Sequence, residues 1–152
     1  MALKIEKETA KRLYVESPEW FKEQLVAEFG KSCFKTISFE DIKTFDDACT
    51  ELEINSGLVF NDLDSPDEIA YKKLKVIAKA INNGWVPDWS NGSQYKYYPW
   101  FEVLSSGFGF SYSGYICTFT FTGVGSRLCF ESREKSDYAA AQFIDLYKQF
   151  LL

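Results

Sequence analysis

Glu102 and Glu131 are the two carboxylates whose predicted placement suggests catalysis. The strand assignment given below places both on one face of an antiparallel sheet, as the acid pair of a glycoside hydrolase would be. It also places them on the first and fourth strands, three strand spacings or roughly 14 Å apart. Glycosidase carboxylates are separated by roughly 5 to 9.5 Å. The sequence therefore disfavours this chemistry.

Residues 123–127, GVGSR, contain groups suited to holding a phosphate. Their backbone amides and the Arg127 guanidinium are both anion donors. The segment lacks the strand-to-helix context and the Lys-Ser/Thr pair of a P-loop. A glycine-rich β-turn is therefore the favoured interpretation.

Residues 61–68, NDLDSPDE, are similar to the start of a calcium-binding loop. Pro66 and Asp67 stand where such a loop needs its glycine, and no closing acid follows at the right offset. Helix capping accounts for the same acids, so we expect no metal here.

Histidine is absent, and the four cysteines are far apart with no CxxC spacing: Cys33, Cys49, Cys117 and Cys129. The lack of histidine removes the commonest general base and most zinc sites. Reduced, packed thiols are expected in a chain of this kind. We therefore predict no catalytic residue, no metal and no cofactor.

The formal net charge of −5 disfavours nucleic acid as a partner, because a negatively charged protein repels phosphate backbones. No apolar run approaches the roughly 18 residues of a membrane span, and the N-terminal residues lack the apolar core of a signal peptide. These features predict a cytoplasmic protein that does not bind membranes.

The elements that position these groups begin with helices. Ser17 as N-cap and Pro18 at the first position predict a helix that ends at Gly30. Four apolar residues fall close to one face of that helix: Trp20, Phe21, Leu25 and Phe29. Capping-box spacings starting at Thr44 and Ser65 predict a short helix to about residue 52 and a long helix over 66–82. The long helix should bury Ala70, Leu74, Ile77, Ala78 and Ile81. Ser132 is expected to cap a last helix over about 133–152.

The long helix also carries Lys72, Lys75 and Lys79 as a basic stripe. A solvated face is the favoured interpretation, and a nucleic-acid contact is the alternative. Trp85 and Trp89 follow directly. They are expected to hold the crossover to the sheet against the core, although an exposed pair would form a binding hot spot.

Three turns, assigned separately, predict a four-stranded antiparallel meander over about residues 95–132. Turns at 105–106, 113–114 and 123–126 place apolar residues on the same side, and a slip of one residue would destroy that agreement. Among the predicted pairs are Val103–Phe108, Phe101–Phe110, Phe110–Cys117 and Phe119–Phe130. The predicted fold is a single α+β domain over 1–152, with N-terminal helices and a C-terminal helix packed on the apolar face.

The opposite sheet face is the predicted binding surface, and its candidate residues are Tyr98, Trp100, Glu102 and Arg127. Large aromatic residues beside Gly107 and Gly109 predict a step suited to stacking. Three interpretations stay open. The aromatic side chains are covered by this chain, contact a protein partner, or stack on bases of single-stranded nucleic acid. The nearby cations are few, mainly Lys96 and Arg127.

Several segments, among them YYPWF at 97–101 and GSRLCF at 125–130, resemble a family of small uncharacterised proteins. Members of that family are carried in phage and mobile-element regions of gut bacterial genomes. The resemblance runs from about Ile42 onward. It implies a bacterial or phage cytosolic setting, with no assigned activity and no catalytic residues.

These observations predict a non-catalytic interaction module whose partner is a protein, with a second copy of the chain as one option. The alternative is a single-stranded nucleic-acid-binding protein that uses the same aromatic surface and the lysine stripe. An enzyme is the least favoured of the three classes.

Overall fold

A computed structural model describes residues 5–34, 37–119 and 127–152. These residues form six α-helices, two β-strands and short 3-10 turns. In chain order the elements are α1 (Lys7–Glu16), α2 (Glu19–Phe29), α3 (Phe45–Glu51), α4 (Pro66–Asn82), β1 (Lys96–Leu104), β2 (Gly107–Ile116), α5 (Arg133–Gln142) and α6 (Ile144–Leu151). The chain divides into two compact units, Met1–Ile37 and Ser38–Leu152, each of which is described by itself.

In the first unit, α2 matches the predicted helix closely, and it ends where Gly30 takes a φ of 82°. The predicted N-cap is wrong. Ser17 instead ends α1, where its hydroxyl donates a 2.6 Å hydrogen bond to the Leu13 carbonyl oxygen. Of the four residues predicted close to one face of this helix, Leu25 is buried and Trp20 is 63% exposed. A Ser-Pro pair is compatible both with the end of one helix and with the start of the next. The sequence pattern therefore did not distinguish a C-cap from an N-cap at Ser17.

In the second unit, both predicted capping boxes are confirmed. The Asp47 amide donates to the Thr44 hydroxyl and the Thr44 amide donates to the Asp47 carboxylate, at 3.1 and 2.8 Å. The Ser65 amide donates to the Glu68 carboxylate at 2.8 Å. Helix α4 buries all five predicted residues of its apolar stripe. These bonds close within four residues, so the local sequence determines them.

The last predicted helix is confirmed, with a break at Phe143 that separates α5 from α6. Ser132 caps α5 as expected, accepting a bond from the Lys135 amide. Backbone hydrogen bonds continue across the break, from the Phe143 amide to the Ala139 carbonyl and from the Tyr147 amide to the Phe143 carbonyl. The break is therefore a kink in one helical segment.

Strands β1 and β2 form an antiparallel hairpin around the predicted turn at residues 105–106. The predicted pairs Val103–Phe108 and Phe101–Phe110 are confirmed. Helices α5 and α6 cover the face that carries Phe101, whose ring lies 4.7 Å from that of Tyr147. Helix α4 packs behind them, against α3, α5 and α6. The architecture is therefore α+β, with helices on one face of an antiparallel sheet.

The second predicted turn, at residues 113–114, is wrong because β2 runs straight through it to Ile116. Tyr112 consequently pairs with Trp100, and Tyr115 pairs with Tyr97. Gly114 serves close packing instead of a turn. A Cβ at this position would lie 3.1 Å from atoms of both the Tyr98 and Trp100 side chains. Glycine in a strand often marks such an approach.

The predicted strand order also needs correction. Phe130 forms an antiparallel bridge with Tyr97, with backbone bonds of 2.9 and 2.7 Å. Because β2 occupies the other edge of β1, this segment lies beside the first strand and not at the far end of a meander. Phe119, predicted on the dry face, is outside any strand and exposed. The third predicted turn, at 123–126, lies outside the described residues, and a four-stranded meander is not observed within them.

Candidate functional site

The exposed end of the hairpin carries an apolar surface, which we call the hairpin patch and define as Trp100, Glu102, Leu104 and Tyr112. The Trp100 and Tyr112 rings stack with centroids 5.8 Å apart and planes 9° from parallel. The exposed fractions of Trp100, Leu104 and Tyr112 are 42%, 59% and 51%. Glu102 is opposite Gly109 and Leu104 is opposite Gly107, so glycines lie next to the large side chains as predicted.

A β-bulge creates the central contact of the hairpin patch. The register shifts between Trp100 and Phe101, which leaves Ser111 as the extra residue on β2. Without that shift Ser111 would face Trp100, as the sequence predicted. Because the bulge inserts one extra residue into β2, the side chains of β2 beyond it exchange faces of the sheet. Tyr112 therefore lies on the same face as Trp100 and beside it. No pattern in the sequence predicts the bulge.

Tyr98 packs beneath the hairpin patch and is not accessible to a partner. It is buried, at 9% exposure, and its ring lies 6.4 Å from that of Trp100. Both side chains approach Gly114 closely. The structure therefore brings together three of the four predicted site residues, Tyr98, Trp100 and Glu102, with only the last two on the surface.

Lys96, predicted as a cation near the aromatic surface, is completely buried. Its ammonium nitrogen lies 2.6 to 3.2 Å from four carbonyl oxygens, which share its three N–H donors: those of Asp88, Asn91, Gln94 and Cys117. It also lies 5.4 Å from the ring centre of Trp89. Trp89 thus holds the crossover loop against the core, as expected. Lys96 is not available to a ligand.

Arg127, the fourth predicted site residue, lies in a different place. It lines a cavity of about 590 Å³ beside α4, which we call the α4 cavity. The described lining includes the whole predicted basic stripe. The lining residues are Val59, Lys72, Lys75, Val76, Lys79, Asn82, Trp85, Val86, Pro87, Arg127 and Cys129. Trp85, which was expected to pin the crossover, forms part of this wall.

Asn82 closes the inner end of the α4 cavity with two hydrogen bonds. Its amide nitrogen donates to the Cys129 carbonyl at 2.9 Å, and its amide oxygen accepts from the Glu131 backbone at 3.1 Å. These bonds connect the end of α4 to the segment that pairs with β1. Arg127 precedes Cys129 by two residues and lines the same cavity.

The predicted separation of Glu102 and Glu131 holds for a new reason. Glu131 follows the residue opposite Tyr97, and five residues of strand, about 16 Å, lead from Tyr97 to Glu102. Glu131 is paired with Lys135 at 2.6 Å. The geometry again disfavours a glycosidase pair.

Three of the acids in residues 61–68 hold the local backbone and side chains, and of these Glu68 completes the capping box with Ser65. Asp64 accepts from the Asn61 amide and forms a 2.6 Å ion pair with Lys72, which lowers the pKa of its carboxyl. A hydrogen bond from the Ser65 hydroxyl lowers the pKa of Asp67. Across the three described ranges, no cluster of three or more potential ligand side chains is placed to hold a metal.

The four cysteines form no disulfide, and all except the half-exposed Cys117 are buried. Burial raises the pKa of the Cys49 thiol, and it raises the pKa of Cys129 from 9.0 to about 11. Both thiols therefore stay protonated at neutral pH. Such groups are packing residues and not activated nucleophiles.

Comparisons with known proteins add no relative. No protein-family model matches the chain, and no significant match is found among curated proteins or solved structures. None of the helices in the described ranges combines the length and apolar character needed to cross a bilayer.

Proposed function

We propose that the protein is a non-catalytic interaction module that binds a protein partner through the hairpin patch. The observation that carries this proposal is the stacked Trp100–Tyr112 pair, which is about half exposed on an ordered strand pair. Tryptophan and tyrosine are the side chains most enriched at the energetic centres of interfaces. The phage or mobile-element setting of the partner rests on the sequence resemblance alone.

A protein partner suits the charge of this surface better than nucleic acid does. The charged member of the hairpin patch is Glu102, an acid. The two cations expected to serve the surface are elsewhere, since Lys96 is buried and Arg127 lines the α4 cavity. Single-stranded nucleic-acid sites combine aromatic stacking with a cationic groove that follows the phosphates. The second half of that combination is missing from the hairpin patch.

The chemistry of the partner follows from the chemistry of the hairpin patch. Trp100, Tyr112 and Leu104 require apolar side chains opposite them, and Glu102 favours a lysine or arginine at the same position of the interface. Gly109 and Gly107 lie opposite Glu102 and Leu104, so the neighbouring strand carries no side chain at these two positions and leaves a step there. A protruding side chain of the partner fits beside that step.

The test combines identification with a matched substitution. A photo-crosslinking amino acid at position 105, an exposed turn residue next to Leu104, captures the partner in cells, and the captured protein is then purified and titrated against the isolated chain. Trp100→Ala should weaken that binding at least about tenfold, because hot-spot truncations cost roughly 2 kcal/mol or more. Trp20→Ala is the matched control, because Trp20 is an exposed tryptophan in the other unit, and it should leave the affinity unchanged.

Two results would count against the proposal. The first is an affinity for the purified partner that Trp100→Ala does not alter. The second is salt-sensitive binding of a labelled oligonucleotide that Trp100→Ala abolishes, which would favour the nucleic-acid alternative. Light scattering on the same samples reports whether the captured partner is a second copy of the chain.

A further inference from the structure

The α4 cavity concentrates positive charge on a chain whose net charge is −5. Four of its eleven described lining residues are cationic, and none of the eleven is an acid: the cations are Lys72, Lys75, Lys79 and Arg127. Their potential adds within the concave wall, where low-dielectric surroundings focus the field. A net negative protein therefore presents a local site that attracts anions.

Two of the four cations are uncommitted. Lys72 is paired with Asp64, and Lys75 lies 5.0 Å from the ring centre of Tyr71. Lys79 and Arg127 are exposed and have no ion pair within the ranges that the structure describes. Because both side chains are exposed to solvent, they do not carry the free-energy cost of a buried, unpaired charge. An anionic ligand can therefore replace the water around them. An arginine fork beside a lysine is a combination that suits phosphate oxygens.

The remaining wall of the cavity is apolar and partly aromatic. Val59, Val76 and Pro87 line it, together with the indole of Trp85. The volume of about 590 Å³ lies inside the range of roughly 300 to 1,000 Å³ typical of small-molecule sites. A bare phosphate ion would leave most of this wall without a contact. The geometry favours a ligand that joins a phosphate to a flat apolar body.

We propose that the α4 cavity binds a mononucleotide, or a ligand of the same chemical class. Lys79 and Arg127 hold its phosphate, and the base lies against Trp85, where ring stacking adds to the apolar contact. The site requires neither the hairpin patch nor its partner, so the two proposals stand or fall separately.

The test is calorimetric titration with AMP, with adenosine and inorganic phosphate as partial ligands. AMP should bind more tightly than either part, and its affinity should fall as salt rises. Lys79→Gln and Arg127→Gln should each weaken AMP binding at least about tenfold, since each removes a charge-assisted contact. The matched controls are Lys11→Gln and Arg12→Gln, two exposed residues of α1. They change the net charge equally and should leave AMP binding unaltered.

Loss of AMP binding in the Lys79 and Arg127 variants can be distinguished from loss of folding. Both cavity substitutions are at exposed positions, so the midpoint of urea unfolding should match that of the wild type. The proposal is overturned if wild-type protein does not bind AMP at millimolar concentration in low salt. It is also overturned if the α1 controls weaken AMP binding as much as the cavity variants do. A ten-nucleotide single strand that binds more tightly than AMP, with the same dependence on Lys79, would assign the cavity to nucleic acid instead.

Discussion

The Lys96 ammonium group lies 2.7 Å from the carbonyl oxygen of Cys117, and this contact joins the start of β1 to the residue that follows β2. The carbonyl oxygens of Asp88, Asn91 and Gln94 complete the cage around the same nitrogen. A lysine with no exposed surface is rare unless its charge is fully paired or hydrogen-bonded. One side chain thus ties the crossover loop to both strands of the hairpin.

Lys96→Met should lower the free energy of unfolding by at least about 3 kcal/mol, because it removes the completely buried ammonium group that four backbone carbonyl oxygens surround. The measurement is equilibrium unfolding in urea. Lys148→Met removes an exposed lysine from α6 and should change the same quantity by no more than about 0.5 kcal/mol. Similar values for the two variants would show that the cage contributes no stability.

Asn82→Leu should lower the free energy of unfolding by about 2 to 4 kcal/mol. The substitution removes a side-chain donor from the Cys129 carbonyl and a side-chain acceptor from the Glu131 amide, and removing one partner of a buried hydrogen bond costs about 1 to 3 kcal/mol. Asn83→Gly is the matched control. Asn83 is exposed and has a φ of 47°, which glycine adopts without strain. Equal losses in the two variants would contradict the prediction.

The hydroxyl groups of Ser113 and Ser136 form a buried hydrogen bond of 2.7 Å between β2 and α5. Ser113→Ala and Ser136→Ala should each cost about 1 to 2 kcal/mol, because each leaves one buried hydroxyl without a partner. The double variant should cost about as much as one single variant. A double-mutant cycle should therefore give a coupling equal in size to one single cost, about 1 to 2 kcal/mol. Additive costs would show that the two hydroxyls do not interact.

Alkaline pH should destabilise the protein through Cys129. Burial raises the pKa of this thiol from 9.0 to about 11 in the folded state. Between these values the unfolded chain releases a proton that the folded chain keeps, so unfolding becomes easier as the pH rises. The contribution is complete below about pH 9 and declines by at most about 1.4 kcal/mol per pH unit above it.

The comparison with Cys129→Ala isolates that effect. The difference in unfolding free energy between wild type and variant should be constant from pH 7 to 8 and should shrink between pH 9 and 11. Urea unfolding at each pH provides the values. A difference that stays constant over the whole range would show that Cys129 makes no contribution to the alkaline transition.

Helix positions were predictable because their determinants are local. The Thr44–Asp47 and Ser65–Glu68 boxes satisfy backbone groups within a single turn. The α4 stripe recurs with the period of a helix, so its five buried residues could be named from the sequence. The first hairpin turn was found for a similar reason, since alternation on both strands allowed one register.

The errors occurred where a residue type serves two purposes. Ser113 and Gly114 resemble a two-residue turn, yet one is a buried hydrogen-bonding residue and the other leaves room for two rings. Lys96 resembles a surface cation, yet its partners come from a loop and from a residue 21 positions away. Nothing in the neighbouring sequence distinguishes these uses.

The sequence alone determined the helical segments from α2 onward, the first hairpin turn with its register as far as Phe101, the aromatic character of one surface and the absence of histidine chemistry. Each of these depends on residue type or on neighbours a few positions apart. Only the tertiary structure decided that Phe130 pairs with Tyr97, that Tyr112 stacks on Trp100, and that Arg127 joins Lys79 around a cavity. Those relationships require contacts between distant segments. Their free energy depends on how whole elements dock, which no local pattern encodes.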